Sequence, residues 1–222
     1  MIYIKKRKKI KLKIKWRMLI LVIIVALALI MKYLNRPVIE KVIAEEPIVD
    51  VSELTPLEKF IYGARQDANA MPLYISAYYA GGYPPENEGT CTDLIWRAFM
   101  KAGIVLKDLV DQDIIDNRED YAKIENRDPN IDFRRVQNLT VFFQNNAEIL
   151  TIDIYDTNEW KAGDIVVFGN DEHIGIVSDK RNENDIPYLI HNTGQPIREE
   201  DRLEYGSYTM GVTGHYRFDF SQ

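Results

Sequence analysis

Cys91 is the only cysteine in this 222-residue chain, and His173, His191 and His215 are the only histidines. A thiol paired with an imidazole is the minimum for nucleophilic thiol chemistry: the ring takes the thiol proton, and a third polar group fixes the ring and its tautomer. Cys91 lies in Gly89-Thr90-Cys91-Thr92-Asp93. Thr90 with Asp93 three residues on is a helix-start pattern. Leu94, Ile95, Ala98, Phe99 and Ala102 then recur at helical spacing, up to a stop at Gly103. The spacing therefore puts Cys91 in the first turn of a half-buried helix. There the unpaired N–H groups and the helix dipole favour a thiolate. In such settings a thiol pKa of about 8.5 falls to roughly 3.5–7.5, and a lowered value is the expectation here. The plainer reading is a small buried hydrophobe, the commonest role of a lone cysteine.

Two strands are expected to supply the histidines. Asp164 to Phe168 and His173 to Ser178 flank a Gly169–Glu172 turn and read as a hairpin. A polar loop over residues 179–185 precedes a third strand over 187–192, and a last strand includes residues 214–218. If the second loop is centred near Asn182, position 173 faces position 191, and a one-residue slip would separate the two rings. His215 is assigned to structure.

The first half reads as helices. Thr55-Pro56-Leu57-Glu58 is a helix start, with Leu57, Phe60, Ile61, Ala64 and Ala68 on its apolar face, expected to pack on the Cys91 helix. Further helix is expected between Lys107 and Ile124 and from Val136 to Ala147, with a turn at Asp128-Pro129-Asn130. Arg134 and Arg135 form a basic pair suited to a substrate carboxylate. Helices first and an antiparallel sheet after give the α+β class.

The N-terminus is different in kind. Residues 1–34 hold ten of the 28 lysines and arginines and no acid, which leaves 18 basic against 34 acidic residues in the rest. So acidic a body argues against nucleic acid. Met18 to Met31 is unbroken apolar sequence behind a basic flank. We read residues 1–17 as a cytoplasmic tail, 18–34 as a single transmembrane anchor, 35–53 as a linker and 54–222 as an extracytoplasmic domain. Ala26-Leu27-Ala28 offers cleavage as the competing reading.

Gly163-Asp164-Ile165-Val166-Val167-Phe168 followed by His173-Ile174-Gly175-Ile176-Val177 resembles the strand pair of NlpC/p60 cysteine peptidases. The chain resembles still more closely a bacterial family of uncharacterised function related to them. That likeness rests on Thr90-Cys91-Thr92-Asp93, the Asn130–Leu139 stretch, Ile190-His191-Asn192 and Gly214-His215-Tyr216-Arg217. The resemblance implies a papain-like domain, with Cys91 as nucleophile, His173 as general base and His191 as the orienting group; Asn192 is the alternative orienter. It implies Tyr79, or else Tyr83, as oxyanion donor beside the backbone N–H of Cys91. Asp93, Asn192, Arg134 and Arg135 complete the substrate-side candidates. The activity implied is hydrolysis of peptidoglycan peptide amides without a cofactor, by a membrane-anchored, cell-wall-facing enzyme. A non-catalytic wall-binding or scaffold module on the same fold is the rival, and a metal site on Cys91, His173 and His191 is a remoter one.

Overall fold

The computed structural model describes residues 50–221 together with Val25 and Ala26, which are helical. The stretches read as a basic tail (1–17), a membrane anchor (18–34, apart from those two residues) and a linker (35–53, up to residue 49) lie outside the described residues. Among the described residues no helix is long and apolar enough to cross a membrane.

Residues 51–222 form a compact unit of mixed α+β structure. It begins with α1, Pro56–Ala70, where Thr55 and Glu58 cap each other and Pro56 stands at the first helical position. Two residue pairs follow, β1 (Leu73–Tyr74) and β2 (Glu88–Gly89), joined in parallel. Next come α2 (Cys91–Lys101), α3 (Leu106–Asp116), a 3-10 turn at Asp132–Arg134 and α4 (Val136–Asn146). The helix expected between Lys107 and Ile124 thus stops at Asp116. Arg118 then gathers the turn that follows, donating from Nη1 to the Tyr121 carbonyl at 2.9 Å and from Nη2 to that of Ile124.

The second half builds a six-stranded antiparallel sheet in the order β3-β8-β4-β5-β6-β7. Its strands are β3 (Glu148–Ile149), β4 (Ile165–Phe168), β5 (His173–Arg181), β6 (Pro187–Ile190), β7 (Glu199–Glu200) and β8 (Val212–Arg217), with α5 (Leu203–Thr209) before the last. All four residues of β4 are buried, and strand alternation explains how. Ile165 and Val167 join Ile174, Ile176 and Ile190 under the helices, while Val166 and Phe168 join Val177, Leu189, Leu203 and Trp160 on the far face. Helix α1 packs on α2 as the apolar stripes require. Gly63 makes the contact close: a Cβ there would stand 2.5 Å from that of Lys101 and 3.2 Å from the Ala98 Cα.

Phe168 faces His173 across the first hairpin. Across the second, Ile176 pairs with Ile190 and Val177 with Leu189, before the register shifts toward Arg181 and Pro187. Continued toward the strand ends, that register sets Gly175 rather than His173 against His191. The offset from the expected pairing is two residues, so the face is kept and the two imidazoles become diagonal neighbours.

Candidate functional site

Cys91 is the first residue of α2, with Thr90 as its cap in extended conformation. Asp93 reaches back one turn: its Oδ2 accepts from the Thr90 N–H at 2.8 Å and from the Thr90 hydroxyl at 3.0 Å. The helix start is fixed as the sequence suggests. Cys91 is nonetheless only 5% exposed and belongs to the hydrophobic core cluster. Its polar neighbours are the backbone N–H groups of Ile174, Thr92 and Cys91 itself. Ile174 is the residue after His173, so the backbone that follows the candidate base contributes to the surroundings of the thiol.

Here the expectation of a lowered thiol pKa is corrected. Burial pushes the Cys91 thiol up to about 11; the three N–H groups pull the other way without overcoming it, and the charge of Asp93 adds to the rise. A helix start delivers its field, but desolvation costs the anion more when water is shut out.

His173 and His191 meet. The Nε2 of His173 and the Nδ1 of His191 are 2.9 Å apart, with ring centroids at 5.0 Å in an edge-to-face arrangement. Gly175 makes room: a Cβ on it would stand 3.1 Å from the His191 Cβ. Among the described residues the His173 ring has this one hydrogen bond, and none to the sulfur. Cys91, His173 and His191 are all buried, at 5%, 8% and 7% exposed, and His215 is wholly buried. His215 holds structure. Its ring lies flat on Trp160 at 3.7 Å, between the Thr151 carbonyl at 2.7 Å and the Asp164 carboxylate at 3.0 Å.

Burial pushes both ring pKa values down, His173 to about 3 with His191 contributing, and His191 to about 4 with Arg202 contributing. Both imidazoles are therefore neutral in the folded protein at neutral pH. Neutral rings in the native state and protonated rings in the unfolded chain mean that stability is complete above about pH 6.5 and is lost as pH falls toward 4. Urea unfolding at pH 7.5 and pH 4.5 is expected to show a loss on the order of 2 kcal/mol for each ring. A chain carrying His173→Gln and His191→Gln should have a correspondingly flatter acid limb. An equal loss in both proteins would show that the rings do not carry it.

The remaining candidates separate. Asn192 is fully buried and works away from His173: its Nδ2 donates to the Gly89 carbonyl at 3.3 Å and its Oδ1 accepts from the Gly194 N–H at 3.0 Å. It ties the loop after β6 to the segment before Cys91, and His191 alone is bonded to His173. Arg134 is buried against Asp93, with Nε on Oδ1 at 2.7 Å and Nη2 on Oδ2 at 3.0 Å, while Nη1 binds the Ala77 carbonyl at 2.9 Å. Neither Arg134 nor Asp93 is free for a substrate. Arg135 is exposed at the start of α4.

The two tyrosines are engaged elsewhere as well. Tyr79 donates to Glu88 at 2.5 Å, with the Arg134 guanidinium 4.9 Å from its ring centroid. Tyr83 packs on Trp96 and Phe133, at 4.8 and 5.5 Å between centroids. The phenol within electrostatic reach of the sulfur belongs instead to Tyr74, on β1 and 47% exposed. Burial pushes that phenol up, and the charges of Cys91 and Asp93 add to the rise. Sequence distance hid it: the parallel β1–β2 pairing sets Tyr74 opposite Gly89, two residues before the cysteine, and pairs so short carry no periodic signal. Among the described residues no three of the His, Cys, Asp and Glu side chains are disposed to hold a metal ion.

Residues 61–218 match a family model described as "Domain of unknown function (DUF1287)". The chain belongs to the DUF1287 family. Within DUF1287 terms, the matched span runs from the middle of α1 to the end of β8 and takes in Cys91, all three histidines and Tyr74. A protein of Escherichia coli (strain K12) named "Uncharacterized protein YijF" is 34% identical over 166 residues, covering 70% of this DUF1287 chain and 78% of that protein. No solved structure matches.

Proposed function

We propose that this DUF1287 chain is a cysteine hydrolase of the NlpC/p60 kind, with a papain-like arrangement of its domain. It would be anchored by residues 18–34 in the cell membrane and face the cell wall. Its substrate would be an amide bond of a peptidoglycan stem peptide. The observation that carries the reading is the 2.9 Å contact between His173 and His191, with the backbone of Ile174, the residue after His173, contributing to the electrostatic surroundings of the Cys91 thiol. The resemblance of the Cys91, His173 and His191 motifs to those peptidases supports the substrate class.

In the proposed reaction His173 takes the thiol proton as Sγ attacks the carbonyl carbon. Sulfur and ring close on each other when substrate binds, since catalytic hydrogen bonds are often long without it. The oxyanion is held by the Cys91 N–H, with the Tyr74 phenol on the exposed side. The C–N bond then breaks, and His173 returns the proton to the leaving amine. Water, deprotonated by His173, attacks the thioester; the C–S bond breaks, the acid leaves and the sulfur regains its proton. Two neutral partners that exchange one proton suit a site this dry, because a resting thiolate–imidazolium pair would be poorly solvated there.

The burial of the sulfur favours one other reading, a binding or scaffold module whose cysteine only fills space. Two measurements on the full chain separate them. Digestion of purified muropeptides should release a new amine and a new carboxylate from the same bond. Alkylation of Cys91 without substrate should be slow at pH 7 and climb toward pH 11, then accelerate at neutral pH when a muropeptide opens the site. Intact muropeptides together with alkylation indifferent to them would leave the scaffold.

A further inference from the structure

We propose that Glu200, steered by Gln195 and Arg202, is a positioning residue that fixes both ring tautomers and leaves His173 with a bare Nδ1. The proposal rests on the hydrolase reading for its purpose, though not for its test.

Strand β7 pairs with β6, so Glu200 lies opposite Leu189, near the end of the strand that runs into His191. Its Oε1 is 3.2 Å from His191 Nε2, and its Oε2 accepts from Arg202 at 3.1 Å. Gln195 completes the group. Its Oε1 accepts from the Thr193 N–H at 2.7 Å and the Thr193 hydroxyl at 2.8 Å, which fixes the amide the right way round. Its Nε2 has two hydrogens and two oxygen acceptors, the His191 carbonyl at 3.2 Å and Glu200 Oε1 at 3.1 Å. Neither hydrogen is left for His191 Nε2, although that nitrogen is only 3.3 Å away.

The protons of the rings follow from this count. His191 Nε2 faces a carboxylate oxygen and an amide nitrogen whose hydrogens are committed, so it carries the proton and donates to Glu200. A neutral His191 then has a lone pair on Nδ1, the atom 2.9 Å from His173 Nε2. His173 donates from Nε2, and its own Nδ1 is a lone pair. Burial holds both rings in the neutral form that this count requires. A general base needs that free lone pair; the opposite chain of donors would put a proton on His173 Nδ1 and disable it.

Glu200→Ala tests the direction of the chain. It removes the acceptor, and a Gln195 hydrogen freed from Glu200 turns to His191 Nε2. Long-range proton–nitrogen correlation on histidine-labelled full chain reads the result, with His173→Gln and His191→Gln assigning the signals. Wild-type rings should both be protonated at Nε2, and Glu200→Ala should move both to Nδ1. Adding Gln195→Ala removes the competing donor as well and should leave a mixture of the two states. Where Glu200→Ala folds poorly, Glu200→Gln should give a mixture of the two states. Rings that keep their protons on Nε2 without Glu200, or carry them on Nδ1 in the wild type, overturn the assignment. Muropeptide turnover measured alongside should fall at least about tenfold in kcat with KM held. A tautomer switch in a protein that hydrolyses nothing would reject the hydrolase and keep the positioning role.

Discussion

Cys91→Ala is expected to lower hydrolysis of muropeptide amides by on the order of 10⁴-fold or more, because no other group in the chain can form the thioester. The stability cost should be small. Alanine keeps the Cβ and the helix start, and the atom removed is one sulfur within the core, so the expected loss is about 1 kcal/mol. Kinetics and thermal unfolding on the same preparation check both halves. Turnover within tenfold of wild type in a folded Cys91→Ala protein would remove the nucleophile from the proposal. His173→Gln should fall nearly as far, since nucleophile and base act as a unit and their losses do not add.

The largest effect on stability is expected from Asp93→Ala. Its side chain is fully buried and that of Arg134 is 4% exposed. Asp93 also accepts from Trp96 Nε1 at 2.7 Å and from Thr90 twice. Burial opposes its ionisation, yet the bonds from Arg134, Trp96 and Thr90 hold its carboxyl below the usual range. Removing it strands a buried guanidinium, which costs about 3–5 kcal/mol. For a domain of this size the melting temperature should fall by roughly 10 °C. The Thr92 hydroxyl donates to the Arg134 carbonyl at 3.0 Å, so the same loss loosens the first turn of α2 that carries Cys91. Adding Arg134→Met to Asp93→Ala should cost less than the two single changes summed, as expected of partners in one buried pair. Strict additivity would mean that the pair contributes nothing as a pair.

Much of this arrangement was legible because it rests on local rules. Thr55-Pro56 and Thr90 to Asp93 mark helix starts whatever lies around them, and the Gly169–Glu172 turn between apolar runs makes a hairpin. The meeting of His173 with His191 survived an error of two residues in register because a strand repeats every two. What depends on long-range packing was not legible. The sequence shows Cys91 at a helix start but not that β5 seals it from water, and so the direction of its pKa came out reversed. Arg134 looked available because its partner is 41 residues away. Tyr74 was passed over for Tyr79 and Tyr83, which are nearer the cysteine along the chain but turned to Glu88 and Trp96.

The absent side chain at Gly175 has one more implication. With only a hydrogen between the backbone of β5 and the imidazole on its neighbour, the separation of the two rings is dictated by the spacing of the strands that bear them. That wall cannot give way without unzipping a ladder of main-chain bonds. Any doorway for a ligand must therefore open away from that ladder.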